Sequence, residues 1–138
     1  MAESAAHIEY VSRLGNYVMG MLSPNEKVYI LIDTPNSVVF PPRIVNNYRP
    51  DLYYNHNHCL IIGEAKTDED FDRPHSIAQY VSYMDECSLF SGESMIIISC
   101  SWRVSPALAN LIRNIKRTGL YNIPVIIINE LGQYRTIN

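Results

Sequence analysis

The chain predicts a mixed α/β protein, a central mixed β-sheet flanked by helices, built as one domain over residues 1–138. Two observations carry this reading. Stretches of helical period alternate with short apolar runs in the order helix, three strands, helix, strand, helix, strand, which layers helices against a sheet. A length of 138 residues gives room for one core and hardly for two, and no repeat, low-complexity tract or linker divides it.

The elements come in order. From His7 to Leu22, the residues Ile8, Val11, Leu14, Val18 and Met21/Leu22 recur at three to four positions and form the apolar stripe of a helix. Ser4 supplies its N-cap, and Ser23-Pro24-Asn25 ends it. Glu9 stands beside the stripe near the helix start, where a carboxylate complements the helix dipole. Lys27 to Asp33 is a nearly continuous apolar run and predicts a buried strand. Thr34-Pro35-Asn36 turns the chain, Ser37 to Phe40 reads as a short strand or edge, and Pro41-Pro42 stops it. Arg43 to Arg49 reads as a surface loop whose arginines and amides also suit phosphate contacts.

Two strand-like runs then flank a polar turn. Arg49-Pro50-Asp51-Leu52-Tyr53-Tyr54 and Cys59-Leu60-Ile61-Ile62-Gly63-Glu64-Ala65-Lys66 predict a hairpin across Asn55-His56-Asn57-His58. Alternation puts Leu60, Ile62, Glu64 and Lys66 on one face. With Asn55 paired to His58, Asp51 falls opposite Ile62 and diagonal to Glu64, roughly 7–8 Å away at the backbone. Two carboxylates at that spacing reach one hard cation, which prefers oxygen ligands. An ammonium two residues beyond Glu64 is then placed to hold a water or a phosphate oxygen. Asp51, Glu64 and Lys66 together read as a metal-dependent hydrolytic site.

The acidic loop Asp68-Glu69-Asp70-Phe71-Asp72 leads to a helix from Arg73 to Phe90, with Asp72 as N-cap, Pro74 in the first turn and Gly92 as C-cap. On it, Gln79 and Tyr83 lie four apart and share a face. Met95 to Cys100 is a buried strand, and Ser105-Pro106 opens a helix that runs to Gly119 with Leu108, Leu111/Ile112 and Ile115 inward. Arg113, Lys116 and Arg117 form its basic cluster, which serves either the helix dipole or a phosphate ridge. Pro124 to Asn129 is a final buried strand, and Glu130 to Asn138 a tail or edge hairpin.

Composition sets outer bounds. Hydrophobic content of 47% and charged content of 18% describe a globular chain, and no apolar run approaches the roughly 18–20 residues that cross a bilayer. Cys59, Cys87 and Cys100 are an odd set at unrelated spacings, expected as free thiols in a reducing cytoplasm. A net charge of -3 argues against a general nucleic-acid-coating surface but not against an enzyme whose carboxylates bind a cation. His56, His58 and Cys59 lack the spacing of a closed zinc site.

Pro50-Asp51 followed by Glu64-Ala65-Lys66, set in a hairpin between two helices, resembles the PD-(D/E)xK nuclease superfamily from about Glu9 to Ile98. The later Gln79-x-x-x-Tyr83 pair resembles the extra motif of the exonuclease branch found in recombination helicase-nucleases. The resemblance implies a restriction-endonuclease-like core of order αβββαβ, followed here by one more helix and strand. It further implies hydrolysis of DNA with Mg2+, for which Mn2+ substitutes. Asp51 and Glu64 would hold the metal, with the Ala65 carbonyl and, from the first helix, Glu9. Lys66 would orient the attacking water, and Gln79 and Tyr83 would lie beside the site. So few basic residues imply that the chain self-associates, as a homodimer, or relies on a partner protein to deliver DNA. The competing expectation is a non-catalytic interaction domain that keeps the fold without turnover.

Overall fold

The computed structural model describes residues 4–138. Among them a six-stranded mixed sheet is ordered sequentially and flanked by helices on both faces. Helix α1 spans Ala5–Met21, and the one-turn α2 spans Pro24–Lys27. They precede β1 (Leu31–Ile32), β2 (Leu52–His56) and β3 (Cys59–Ala65), with a short 3-10 turn at Val45–Asn47 between β1 and β2. Helix α3 (Pro74–Leu89), β4 (Glu93–Ser99), α4 (Ser105–Gly119), β5 (Val125–Ile128) and β6 (Tyr134–Ile137) complete the chain.

The pairing type changes twice across the sheet. β1, β2 and β3 pair antiparallel, β3, β4 and β5 run parallel, and β6 returns antiparallel on β5 as an edge hairpin. The parallel strands need crossovers, and α3 and α4 supply them. Ile96 and Ile98 face α3 and α4, where Tyr80, Met84, Leu108 and Ile112 fill one core. Ile97 faces the other way, onto Leu14 and Val18 of α1, with Leu52, Tyr54, Ile61 and Ile128. Burial on both faces explains why these central strands read as continuous apolar runs. Gly63 belongs to this arrangement: a Cβ there would sit 2.8 Å from the Leu14 side chain, so its absence lets α1 lie close on β3.

Several local expectations are corrected. Residues 27–33 do not form one buried strand. Ser23 and Glu26 close a capping box, with the Ser23 amide donating to Glu26 Oε1 at 2.9 Å, so Lys27 ends α2 and Val28 and Tyr29 form the turn that follows it. Only Leu31–Ile32 pair with β2, Val28 and Tyr29 are exposed, and Ser37 to Phe40 forms no strand. Arg73, not Asp72, is the N-cap of α3, although Pro74 does occupy its first turn. Gly92 does not cap that helix either. It lies where β4 approaches the hairpin turn, and a Cβ would stand 2.1 Å from the His58 carbonyl oxygen. The three cysteines are free, as expected, and burial pushes the Cys87 and Cys100 thiols up to about 12.

The hairpin register also differs, by two residues. Asn57 and His58 both take positive φ, 54° and 59°, which makes a two-residue turn of the type that matches strand twist. His56 therefore pairs with Cys59 and Leu52 with Gly63. One step further along this ladder, Asp51 lies directly across from Glu64 rather than diagonal to it.

Candidate active site

The C-terminal end of β3 carries the site, and each of its side chains has a structural reason to be there. Asp51, Glu64 and Lys66 are all buried, at 7%, 5% and 6% exposure. Buried charged groups are rare unless paired, so the cluster must answer its own charge. Asp51 Oδ2 accepts the Ala65 amide at 2.8 Å, which ties the start of β2 to the end of β3. Lys66 Nζ lies 3.5 Å from Glu64 Oε2 and donates to Gln79 Oε1. The Tyr83 hydroxyl donates to Glu64 Oε1 at 2.6 Å. Gln79 and Tyr83 are one helical turn apart on α3 and both are buried, so one helix face holds the carboxylate and the ammonium at once.

Electrostatically the pair of acids is short of positive charge. The Glu64 carboxyl is pushed up to about 8, first by burial and then by the neighbouring Asp51 charge, with a hydrogen bond between the two side chains adding to both. Lys66 and the Tyr83 phenol pull the other way and only partly offset this. Burial, followed by the Glu64 charge, also raises the Tyr83 phenol, which stays a neutral donor. The Tyr80 ring packs beneath Lys66, with Nζ 6.0 Å from its centre, and its hydroxyl donates to the Phe71 carbonyl at 2.8 Å. That bond anchors the acidic loop to α3. The Lys66 amide donates to the Ser99 carbonyl at 2.9 Å, and Ser101 donates to Asp68 at 2.7 Å, so the ends of β3 and β4 are closed as one rim.

The first helix contributes a different residue from the one expected. Glu9 points to solvent, 68% exposed at its side chain, and pairs with Arg13 Nη2 at 3.1 Å. His7, two residues earlier, places Nε2 3.4 Å from Asp51 Oδ2. It precedes Val11, Leu14 and Val18 by four, seven and eleven residues and so lies on the buried stripe of α1, a signal the sequence does hold, whereas Ile8, expected on that stripe, is 39% exposed. Comparison with protein-family models finds no match, and neither curated proteins nor solved structures give one.

The basic cluster of α4 is not part of that site. β3, β4 and β5 end together at the carboxylates, whereas α4 begins beyond that end and runs back antiparallel. Its 15 residues carry the last turn about 22 Å towards the opposite end of the sheet. Lys116 is moreover buried, and its Nζ donates to the Ile137 carbonyl at 2.9 Å beneath β6, with burial lowering its pKa. Arg113 donates to Asn110 at 3.0 Å and Arg117 to Asn114, both along their own helix. The spacing Leu108, Ile112, Lys116 places the lysine on the buried stripe, a signal the sequence does hold.

As to a metal, the carboxylates fit one. Two buried acids side by side, one of them held from ionising, are what a divalent cation would relieve. Asp51, Glu64 and the Ala65 carbonyl are the candidate oxygen donors, with His7 adjacent. Among the described residues no group of three or more His, Cys, Asp or Glu side chains is drawn together as a ready cage. No helix of the described residues is long and apolar enough to cross a membrane.

Proposed function

We propose that the chain is a divalent-metal-dependent nuclease that hydrolyses phosphodiester bonds in DNA on a restriction-endonuclease-like core of the PD-(D/E)xK kind. The observation that carries this reading is the convergence of Asp51, Glu64, Lys66, Gln79 and Tyr83 in one buried cluster. Five residues spread along the sequence from Asp51 to Tyr83 meet through hydrogen bonds and an ion pair, and a chance pattern on a surface hairpin gives no reason for that. The element order, with the long helix α1 before the hairpin and α3 directly after it, supports the same reading.

In the mechanism, Asp51 and Glu64 would hold Mg2+ or Mn2+, with the Ala65 carbonyl as a third donor. When bound, such an ion polarises the phosphoryl oxygen and acidifies a water. The chain's own residues do the remainder. Tyr83 fixes the rotamer of Glu64, and Gln79 fixes that of Lys66. Lys66, held between Glu64 and Gln79, would offer its ammonium to the attacking water or a phosphate oxygen. The dry walls formed by Tyr80, Tyr83 and Ile62 strengthen each of these interactions.

One copy offers few phosphate contacts, fewer still without Lys116. Self-association, or a partner that delivers DNA, remains part of the proposal, and sedimentation at micromolar protein tests it. The competing reading, an interaction domain without turnover, draws support from exposed Glu69, Asp70 and Asp72 beside the site, which would repel a phosphate backbone. Purified chain incubated with plasmid and with linear DNA separates the two. Cleavage with magnesium or manganese that stops on adding chelator supports the nuclease. Absence of cleavage under every metal condition supports the interaction domain.

A further inference from the structure

The segment between β1 and β2 leaves the sheet at the same end as the carboxylates. The Asp33 amide donates to the Asp51 carbonyl at 2.8 Å, so the chain departs from beside Asp51 itself. The departing chain is braced. The Ser37 amide donates to the Thr34 carbonyl and the Thr34 amide to Ser37 Oγ, each at 3.0 Å. Pro35, Pro41 and Pro42 remove further freedom. On the return, Asn46 Nδ2 donates to Ser82 Oγ at 2.9 Å and Tyr48 packs edge-on against His75 at 5.5 Å. Both partners sit on α3, the helix that supplies Gln79 and Tyr83.

At the tip, three consecutive apolar side chains face water: Val38 at 92% exposure, Val39 at 64% and Phe40 at 45%. The Arg49 guanidinium lies 5.7 Å from the Phe40 ring. Between Thr34 and Pro50 the only charged residues are Arg43 and Arg49. A stiff apolar tip with cations beside it and no acid complements a ligand of flat apolar faces and negative charge, which is a nucleic acid. Asp51 and Glu64 are recessed, so a phosphate on a strand that bends away from its duplex reaches them most readily.

We propose that Val38, Val39 and Phe40 form a wedge that stacks on the last base pair of DNA where its two strands part. Arg43 and Arg49 hold the adjoining phosphates, and the freed strand is directed to Asp51 and Glu64. The destination of that strand rests on the nuclease reading, whereas the wedge is a binding event in its own right.

The test uses three DNAs of one sequence, a blunt duplex, a fork and a single strand, each with 2-aminopurine at the first unpaired position, whose stacking place the wedge would take, or its equivalent. With chelator present, the chain should raise the fluorescence of the fork and bind it more tightly than the blunt duplex. The variant V38S/V39S/F40S should lose that rise and about tenfold in fork affinity, a loss on the scale of removing one stacked base. Its single-strand binding and melting temperature should be unchanged, and Phe40→Trp alone should keep the rise. A triple variant that opens the fork like the parent overturns the wedge. So does one whose main change is a loss of self-association, which would mean that a second copy covers the tip. With manganese the same DNAs separate the two proposals. Cutting without any wedge effect sinks the wedge alone, fork opening without cutting sinks the hydrolytic reading alone, and neither activity on any DNA sinks both.

Discussion

Tyr83 on α3 and Glu64 on β3 share a 2.6 Å hydrogen bond in which the phenol donates to Oε1. Both side chains are buried, so neither finds water as a substitute partner. The bond orients the carboxylate and favours its ionised form, against burial and against Asp51. A helix residue thus partly offsets the burial and the Asp51 charge that hinder ionisation of a strand residue 19 positions away.

Tyr83→Phe keeps the ring and removes the donor. Glu64 should then hold its proton to higher pH, so the onset of metal-dependent cleavage moves to more alkaline conditions. Activity at neutral pH should fall by about tenfold, the scale of one hydrogen bond to a charged group. A pH–rate profile of the two proteins checks this, and coincident profiles would remove Tyr83 from the site.

Stability without metal should fall as pH rises between about 4.5 and about 8. Glu64 titrates near its ordinary value of 4.5 when unfolded and near 8 when folded, so in that window the folded chain keeps a proton that the unfolded chain has lost. Glu64→Gln stays neutral throughout. Its advantage over the parent should therefore grow across the window, reaching the order of a few kcal/mol above about pH 8. Urea melts at stepped pH, with chelator, measure the difference.

Gln79→Leu should lower both activity and stability. Lys66 Nζ would lose its amide partner in a buried setting, and a hydrogen bond to a charged group contributes about 1.5–3 kcal/mol. Gln79→Glu offers an oxygen at the same place and should restore most of the stability. Chemical denaturation of the two variants compares them directly.

His7 predicts metal preference. Imidazole suits iron, nickel and zinc, whereas carboxylates suit magnesium and manganese alike. His7→Asp should accordingly raise the magnesium-supported rate relative to the nickel-supported one, and Glu9→Ala should leave that ratio alone. Rates in each metal at saturating DNA give the answer.

Lys116→Met should leave cleavage unchanged, because the lysine serves β6 and lies at the far end of the sheet from Glu64. Its effect should appear only in the melting temperature.

Parts of this arrangement are legible in the sequence. β3, β4 and β5 announce themselves because strands buried on both faces must be apolar throughout, and α1, α3 and α4 do so through their stripes. Hairpin spacing draws Asp51, Glu64 and Lys66 together, whereas spacing gives Gln79 and Tyr83 only a shared helix face, and their place beside the site comes from the resemblance. Other features depend on contacts that no local pattern contains. The register turns on whether Asn57 and His58 both accept positive φ, and a string of Asn and His permits more than one turn. The run Lys27 to Asp33 is apolar enough for a strand, but the Ser23–Glu26 capping box claims its start. His7 reaches Asp51 only because α1 crosses the sheet at one angle, which Leu14 and Gly63 set by packing.

The most direct measurement is calorimetric titration of manganese into the metal-free chain at pH 7, repeated in buffers of different ionisation enthalpy. If Asp51 and Glu64 are the cation site, binding must expel the proton that Glu64 retains below about 8, so close to one proton should be released per ion bound. Raising the pH well above that value should abolish the release while strengthening binding, and Glu64→Gln should abolish both release and binding. Manganese that binds without proton release at pH 7, or that binds Glu64→Gln as tightly as the parent, would contradict the assignment.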